Sequence, residues 1–120
     1  MNDNNQIIIY QTEDGQTQVD VRMENDTVWL TANQMAMLFE RDEKTIRKHI
    51  NNVFSDGELE KESNTQFLRL AHSDKPVAFY TLDVIISVGY RVKSQRGVKF
   101  RQWANRILKE YLTKGYAVND

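Results

Sequence analysis

Two helix-start signals stand eleven residues apart in the stretch TANQMAMLFERDEKTIRKHI, one at Thr31 and one at Asp42. Thr31 with Gln34 three residues later predicts a capping box, in which each residue satisfies a free backbone N–H of the other. Ala32, Met35, Leu38 and Phe39 then fall on one face, so this helix is about two turns long. Asp42 predicts the N-cap of a second helix that runs to about Phe54 and stops at the turn SDG. Any fold for this chain must therefore accommodate two short helices joined by a tight polar turn.

The flanking segments have a different period. QIIIY, the turn EDG and TQVDVRM read as a β-hairpin, with Val19 and Val21 alternating against Asp20 and Arg22, and VWL reads as a short third strand. After the helix pair, TQFLRLA and VAFYT form a second hairpin around HSDKP, which holds the only proline, and its position is that of a wing. LDVIISVGY is ambiguous: Thr81 fits an N-cap, whereas Val84, Ile85, Ile86 and Val88 would suit a strand. We expect a helix there. SQRGVKFRQWANRILKEYLTKGY is a longer helix with Phe100, Trp103, Ala104, Ile107 and Tyr111 on one stripe and Gly115 placed to end it. MNDNN is polar, and fraying is expected there. With 120 residues, 40% of them apolar, the chain can bury one modest core. The expected fold is a single winged-helix-like α+β domain, with a helix-turn-helix, flanking β-hairpins and a long C-terminal helix.

Several chemistries are disfavoured. Without cysteine there is no disulfide, no thiolate nucleophile and no thiolate-bound zinc. His49 and His72 fall on a helix flank and a turn, with no carboxylates spaced to complete a metal site, and no serine has a nucleophile-elbow context. Trp29 and Trp103 are expected in the core. We expect neither catalysis nor a cofactor. No apolar run reaches the ~18 residues of a membrane span, and no signal peptide is recognisable, so the expected location is cytoplasmic without a membrane partner.

The net charge of −1 conceals a polarity along the chain. Residues 1–30 carry six acids against one base, Arg22, and residues 91–120 carry eight bases against Glu110 and Asp120. Such asymmetry is a compositional hint of nucleic-acid binding, although an acidic protein partner or a second subunit could use the same basic surface.

Helical geometry sharpens the hint. Advancing about 100° per residue from Ile46, Ile50, Val53 and Phe54 cluster with it as the core face. Lys44, Lys48, Asn51 and Asn52 fall opposite, with Thr45 beside them and Arg47 and His49 on the flanks. Ammonium, amide and hydroxyl groups on one face can read base edges and bind phosphates. The segment YRVKSQRGVKFRQW adds Arg91, Lys93, Arg96, Lys99 and Arg101 without an acid among them. It spans a helix start near Ser94, where bases oppose the macrodipole and a bound anion would relieve the cost. Gly97 would let another backbone approach closely.

WLTANQMAMLFERDEKTIRKHINNVF and FYTLDVIISVGYRVKSQRGVKFRQWANRILKEYLTKGY closely resemble the N-terminal region of the virulence RhuM family of bacterial proteins. The basic loop, F-R-x-W helix and K-G-Y ending are also similar, more distantly, to Bro-N and KilA-N domains of phage antirepressors. The resemblance implies a DNA-binding domain of the winged-helix kind, used in transcriptional regulation or DNA targeting, and the N-terminal part of a longer protein. The expectation is thus double-stranded DNA bound by the helix Glu43 to Phe54, with Lys44, Thr45, Arg47, Lys48, Asn51 and Asn52 on the reading face and phosphates held by Arg91, Lys93, Arg96, Lys99 and Arg101. Two alternatives stand beside it. One is an adaptor docking an acidic partner or a second copy of the chain as a homodimer; the other is a domain that recruits an enzymatic C-terminal part.

Overall fold

A computed structural model describes residues 6–115. MNDNN and the ending from Tyr116 onward, which takes the tyrosine of the K-G-Y motif with it, lie outside the described residues. The described residues are α+β, an antiparallel five-stranded sheet with four α-helices. Strands β1 (Gln6–Gln11), β2 (Gln18–Glu24) and β3 (Thr27–Leu30) form a meander. Helices α1 (Ala32–Phe39) and α2 (Glu43–Ser55) follow, then the hairpin β4 (Thr65–Leu68) and β5 (Val77–Thr81), and finally α3 (Leu82–Arg91) and α4 (Arg96–Lys114). The strand order is β1-β2-β3-β5-β4, so the meander and the later hairpin join where β3 meets β5. That seam is only two residue pairs long, Trp29 opposite Thr81 and Leu30 opposite Tyr80.

Alternation along the strands decides which face is dry. Ile8 and Tyr10 of β1, Val19, Val21 and Met23 of β2, and Val28 and Leu30 of β3 point toward the helices and are buried. The helices contribute Met35, Leu38 and Phe39, then Ile46, Ile50 and Val53, and from α3 and α4 Val84, Ile85, Val88, Phe100 and Ile107. The ambiguous apolar run is thus helical, because α3 buries one face and leaves Asp83 and Tyr90 outside. On the far side of the sheet Trp29 and Phe79 form a smaller buried patch; Trp29 Nε1 donates to the Glu24 carbonyl at 2.8 Å, and the Arg22 guanidinium lies over the Phe79 ring. Trp103 is half-buried, tilted against Tyr10 at 4.9 Å between ring centroids.

Helix caps follow the sequence closely. Gln34 N donates to Thr31 Oγ1 and Thr31 N donates to Gln34 Oε1, closing the expected capping box. Glu40 takes a left-handed conformation, so α1 stops abruptly. Asp42 then accepts the N–H groups of Lys44 and Thr45 to start α2. Thr81 occupies the N-cap of α3, but its hydroxyl bonds Asn64 at the end of a short 3-10 turn, Glu62–Asn64, instead of capping the helix. Gly115 ends α4 in a left-handed conformation, as its placement predicts.

Candidate functional site

The core-facing side of α2 places the rest of that helix outward. Ile46, Ile50 and Val53 are buried, Phe54 is half-buried against Tyr80, and Lys44, Thr45, Lys48 and Asn51 are exposed. Asn52 and His49 are half-buried at the margins. Arg47 is exposed but already has a partner: its Nε donates to Glu43 Oε2 at 2.9 Å, one helical turn back. Asn33 of α1 donates to the same carboxylate at 3.1 Å. The Asn33 amide and then Arg47 hold the Glu43 carboxyl below its ordinary range. Four outward residues on α2 therefore share a face free of acids, and Arg47 extends it only as half of an ion pair.

The basic segment is divided by the fold. Arg91, at the end of α3, donates to Asp56 at 3.1 Å and Glu58 at 2.9 Å, tying α3 to the end of α2. The Ser87 hydroxyl and then Arg91 keep Glu58 below the usual carboxylate range, while Glu58 and Asp56 raise Arg91 in return. Arg96 turns inward. It donates to the Leu38 carbonyl at 3.1 Å and Thr17 Oγ1 at 3.2 Å, and pairs with Asp14 and Glu40. Lys99 lies 3.5 Å from Glu13 across the surface.

Part of the acidic-to-basic polarity along the chain is consequently paired within the chain, Asp14 with Arg96 and Glu13 with Lys99. Lys93 and Arg101 behave differently from the other three: they rim a cavity of about 190 Å³ between α3 and α4, with Tyr90 and Val98 beside them. Its floor includes Gly89 and Gly97, where the two helices come together, so Gly97 does permit the close backbone approach expected of it.

The hairpin after α2 carries groups that sequence reasoning passed over. Thr65 and Phe67 of β4 pair with Tyr80 and Ala78 of β5, so Phe67 lies on the same sheet face as Tyr80, against which Phe54 of α2 packs. Phe67 is nonetheless 64% exposed. In the connecting loop Arg69 donates to the Asp74 carbonyl at 2.9 Å, and Ser73 Oγ donates to the Lys75 carbonyl, which gives the loop internal order. Arg69 and Lys75 are exposed. A large aromatic residue on a half-wet strand beside a basic loop was the available signal.

Among the described residues no group of three His, Cys, Asp or Glu side chains could hold a metal ion, and no helix is long and apolar enough to cross a membrane. Residues 45–120 match the model of a family described as the virulence protein RhuM family. No curated protein and no solved structure matches the chain.

Proposed function

This chain belongs to the virulence protein RhuM family, and from that premise we propose that it is a winged-helix domain that binds double-stranded DNA through the outward face of α2. One observation carries the reading. The succession β3, α1, α2, β4, β5 with β5 inserted between β3 and β4 supports a helix-turn-helix followed by a wing, and its second helix exposes Lys44, Thr45, Lys48 and Asn51 together. In this reading Asn51 and Thr45 contact base edges, Lys44 and Lys48 contact phosphate or guanine, and the β4–β5 loop brings Arg69 and Lys75 to the flanking backbone.

The basic segment has a narrower role than its composition suggests. Arg91 and Arg96 brace the helices that present α2, and Lys93 and Arg101 are the members of that segment left for an external anion. The same internal pairing weakens the adaptor reading, since an acidic partner would have to compete with Asp14, Glu40, Asp56 and Glu58.

The test is titration of the chain against random and genomic duplex DNA at several salt concentrations. A log–log slope of about −0.9 for each phosphate contact is expected. Duplex binding that never exceeds the binding of a short acidic peptide would overturn the proposal.

A further inference from the structure

Strand β1 lies at one edge of the sheet and pairs, among the described residues, with β2 alone. Exposed edges are ordinarily protected by charge, proline, a bulge or brevity. β1 has none of these: QIIIYQ is six residues long, uncharged and in unbroken register with β2. Two of its three outward residues are also apolar, Ile7 at 51% and Ile9 at 40% exposure, while Ile8 and Tyr10 anchor it in the core. The other edge, β4, is four residues long. The acids of the turn that follows β1 are engaged within the chain, Glu13 by Lys99 and Asp14 by Arg96.

We propose that β1 pairs antiparallel with β1 of a second copy of this chain, forming a continuous ten-stranded sheet across a two-fold axis. The register follows from parity. An axis normal to the sheet keeps both helical layers on one side, so inward residues must face inward residues, and centring on Ile8 pairs each exposed isoleucine with another, whereas centring on Ile9 would set Ile7 against Gln11. Ile7 then stands opposite Ile9 of the second copy, twice over. Within each copy Ile7 neighbours Arg22 and Ile9 neighbours Asp20. Every outer-face row across the junction therefore reads Arg22, Ile7, Ile9, Asp20, with opposite charges at its ends and apolar β-branched pairs in the middle. The chain supplies a strand complementary to its own edge, whereas an acidic or basic strand would meet a like charge on one row.

Sedimentation velocity of the 120-residue chain over a range of concentrations should show a monomer–dimer equilibrium. Ile9→Lys should weaken the dimer by about tenfold or more and leave thermal unfolding of the dilute monomer unchanged, because Ile9 is not part of the core. Because the chain has no cysteine, register can be read directly. An equimolar mixture of Ile7→Cys and Ile9→Cys chains should oxidise to a mixed disulfide, and neither variant should cross-link alone. A chain that remains monomeric, a dimer indifferent to Ile9→Lys, or efficient cross-linking of Ile9→Cys by itself would each overturn the proposal. DNA titration of the Ile9→Lys monomer keeps the outcome separate from the DNA reading, since α2 does not include this edge.

Discussion

Arg96 at the start of α4 reaches Asp14 in the β1–β2 turn, 82 residues away in sequence, at 3.3 Å. The same guanidinium serves the Leu38 carbonyl and Thr17, so it joins the meander, the end of α1 and α4 at one point. Arg96→Gln should destabilise the domain by about 2 kcal/mol, the range for hydrogen bonds made by a charged group. Lys93→Gln should stay within about 0.5 kcal/mol, as surface substitutions usually do. Urea unfolding of both variants checks the contrast, and equal losses would show that Arg96 is not a brace.

Acid should weaken the same junction. Thr12's hydroxyl, then the Gln16 backbone N–H and also Arg96 hold the Asp14 carboxyl below its ordinary value of 3.8. A lowered native pKa means that the folded state binds the proton less readily than the unfolded chain. The stabilisation is therefore fully present above the unfolded value and is lost as pH falls through the folded one. Glu43 and Glu58 act with the same sign from an ordinary value of 4.5. Unfolding followed from about pH 5 to about pH 2 should show stability falling throughout, and Asp14→Asn should flatten the lower part of that decline.

The contact between α3 and α4 separates two glycines that look alike in sequence. A Cβ at Gly89 would stand 3.2 Å from Phe39 Cζ, tighter than most native contacts, whereas one at Gly97 would meet Phe39 at an ordinary 3.6 Å. Gly89→Ala should cost about 1–3 kcal/mol through displacement of the buried Phe39 ring. Gly97→Ala should be neutral or stabilising by up to about 1 kcal/mol, since alanine is the better helix former. Thermal unfolding of the two single variants decides it, and the reverse order would mean that Phe39 moves freely.

On the outward face of α2, Lys48→Ala and Asn51→Ala should leave the fold intact and each weaken duplex binding by about 1–3 kcal/mol, with relaxed sequence preference at the contacted position. Lys93→Gln and Arg101→Gln should each shrink the salt slope by about 1, nearly alike for specific and random DNA. Arg91→Gln should lower stability more than it changes the slope, because its charge is committed to Asp56 and Glu58. Fluorescence anisotropy at two salt concentrations measures binding by all five, and urea unfolding measures the stability of Arg91→Gln. Undiminished binding by both α2 variants would place recognition elsewhere.

Local signals in the sequence anticipated the helices well because caps and faces are local physics. Thr31 with Gln34, Asp42, Gly115 and the buried set Ile46, Ile50 and Val53 all depend on neighbours within a few positions. Sheet connectivity was not legible, since nothing near Leu30 indicates that its partner is Tyr80. Nor was the destination of Arg91 and Arg96: a run of bases looks the same whether its acids lie across the fold or in a ligand. Thr81 illustrates the limit on a small scale. It fits an N-cap by type and position, yet its hydroxyl is taken by Asn64.

The two-pair seam between β3 and β5 makes the sheet two locally assembled pieces fastened late. The meander and the hairpin can each form from short-range turns, but Leu30 can meet Tyr80 only after the forty-nine residues between them are drawn together, with little pairing enthalpy to offset the lost chain entropy. Refolding should therefore be limited by closure of this join. In the native state the same join is the expected line of opening, and hydrogen exchange should find the amide protons of Leu30 and Tyr80 exchanging before those deep in the meander.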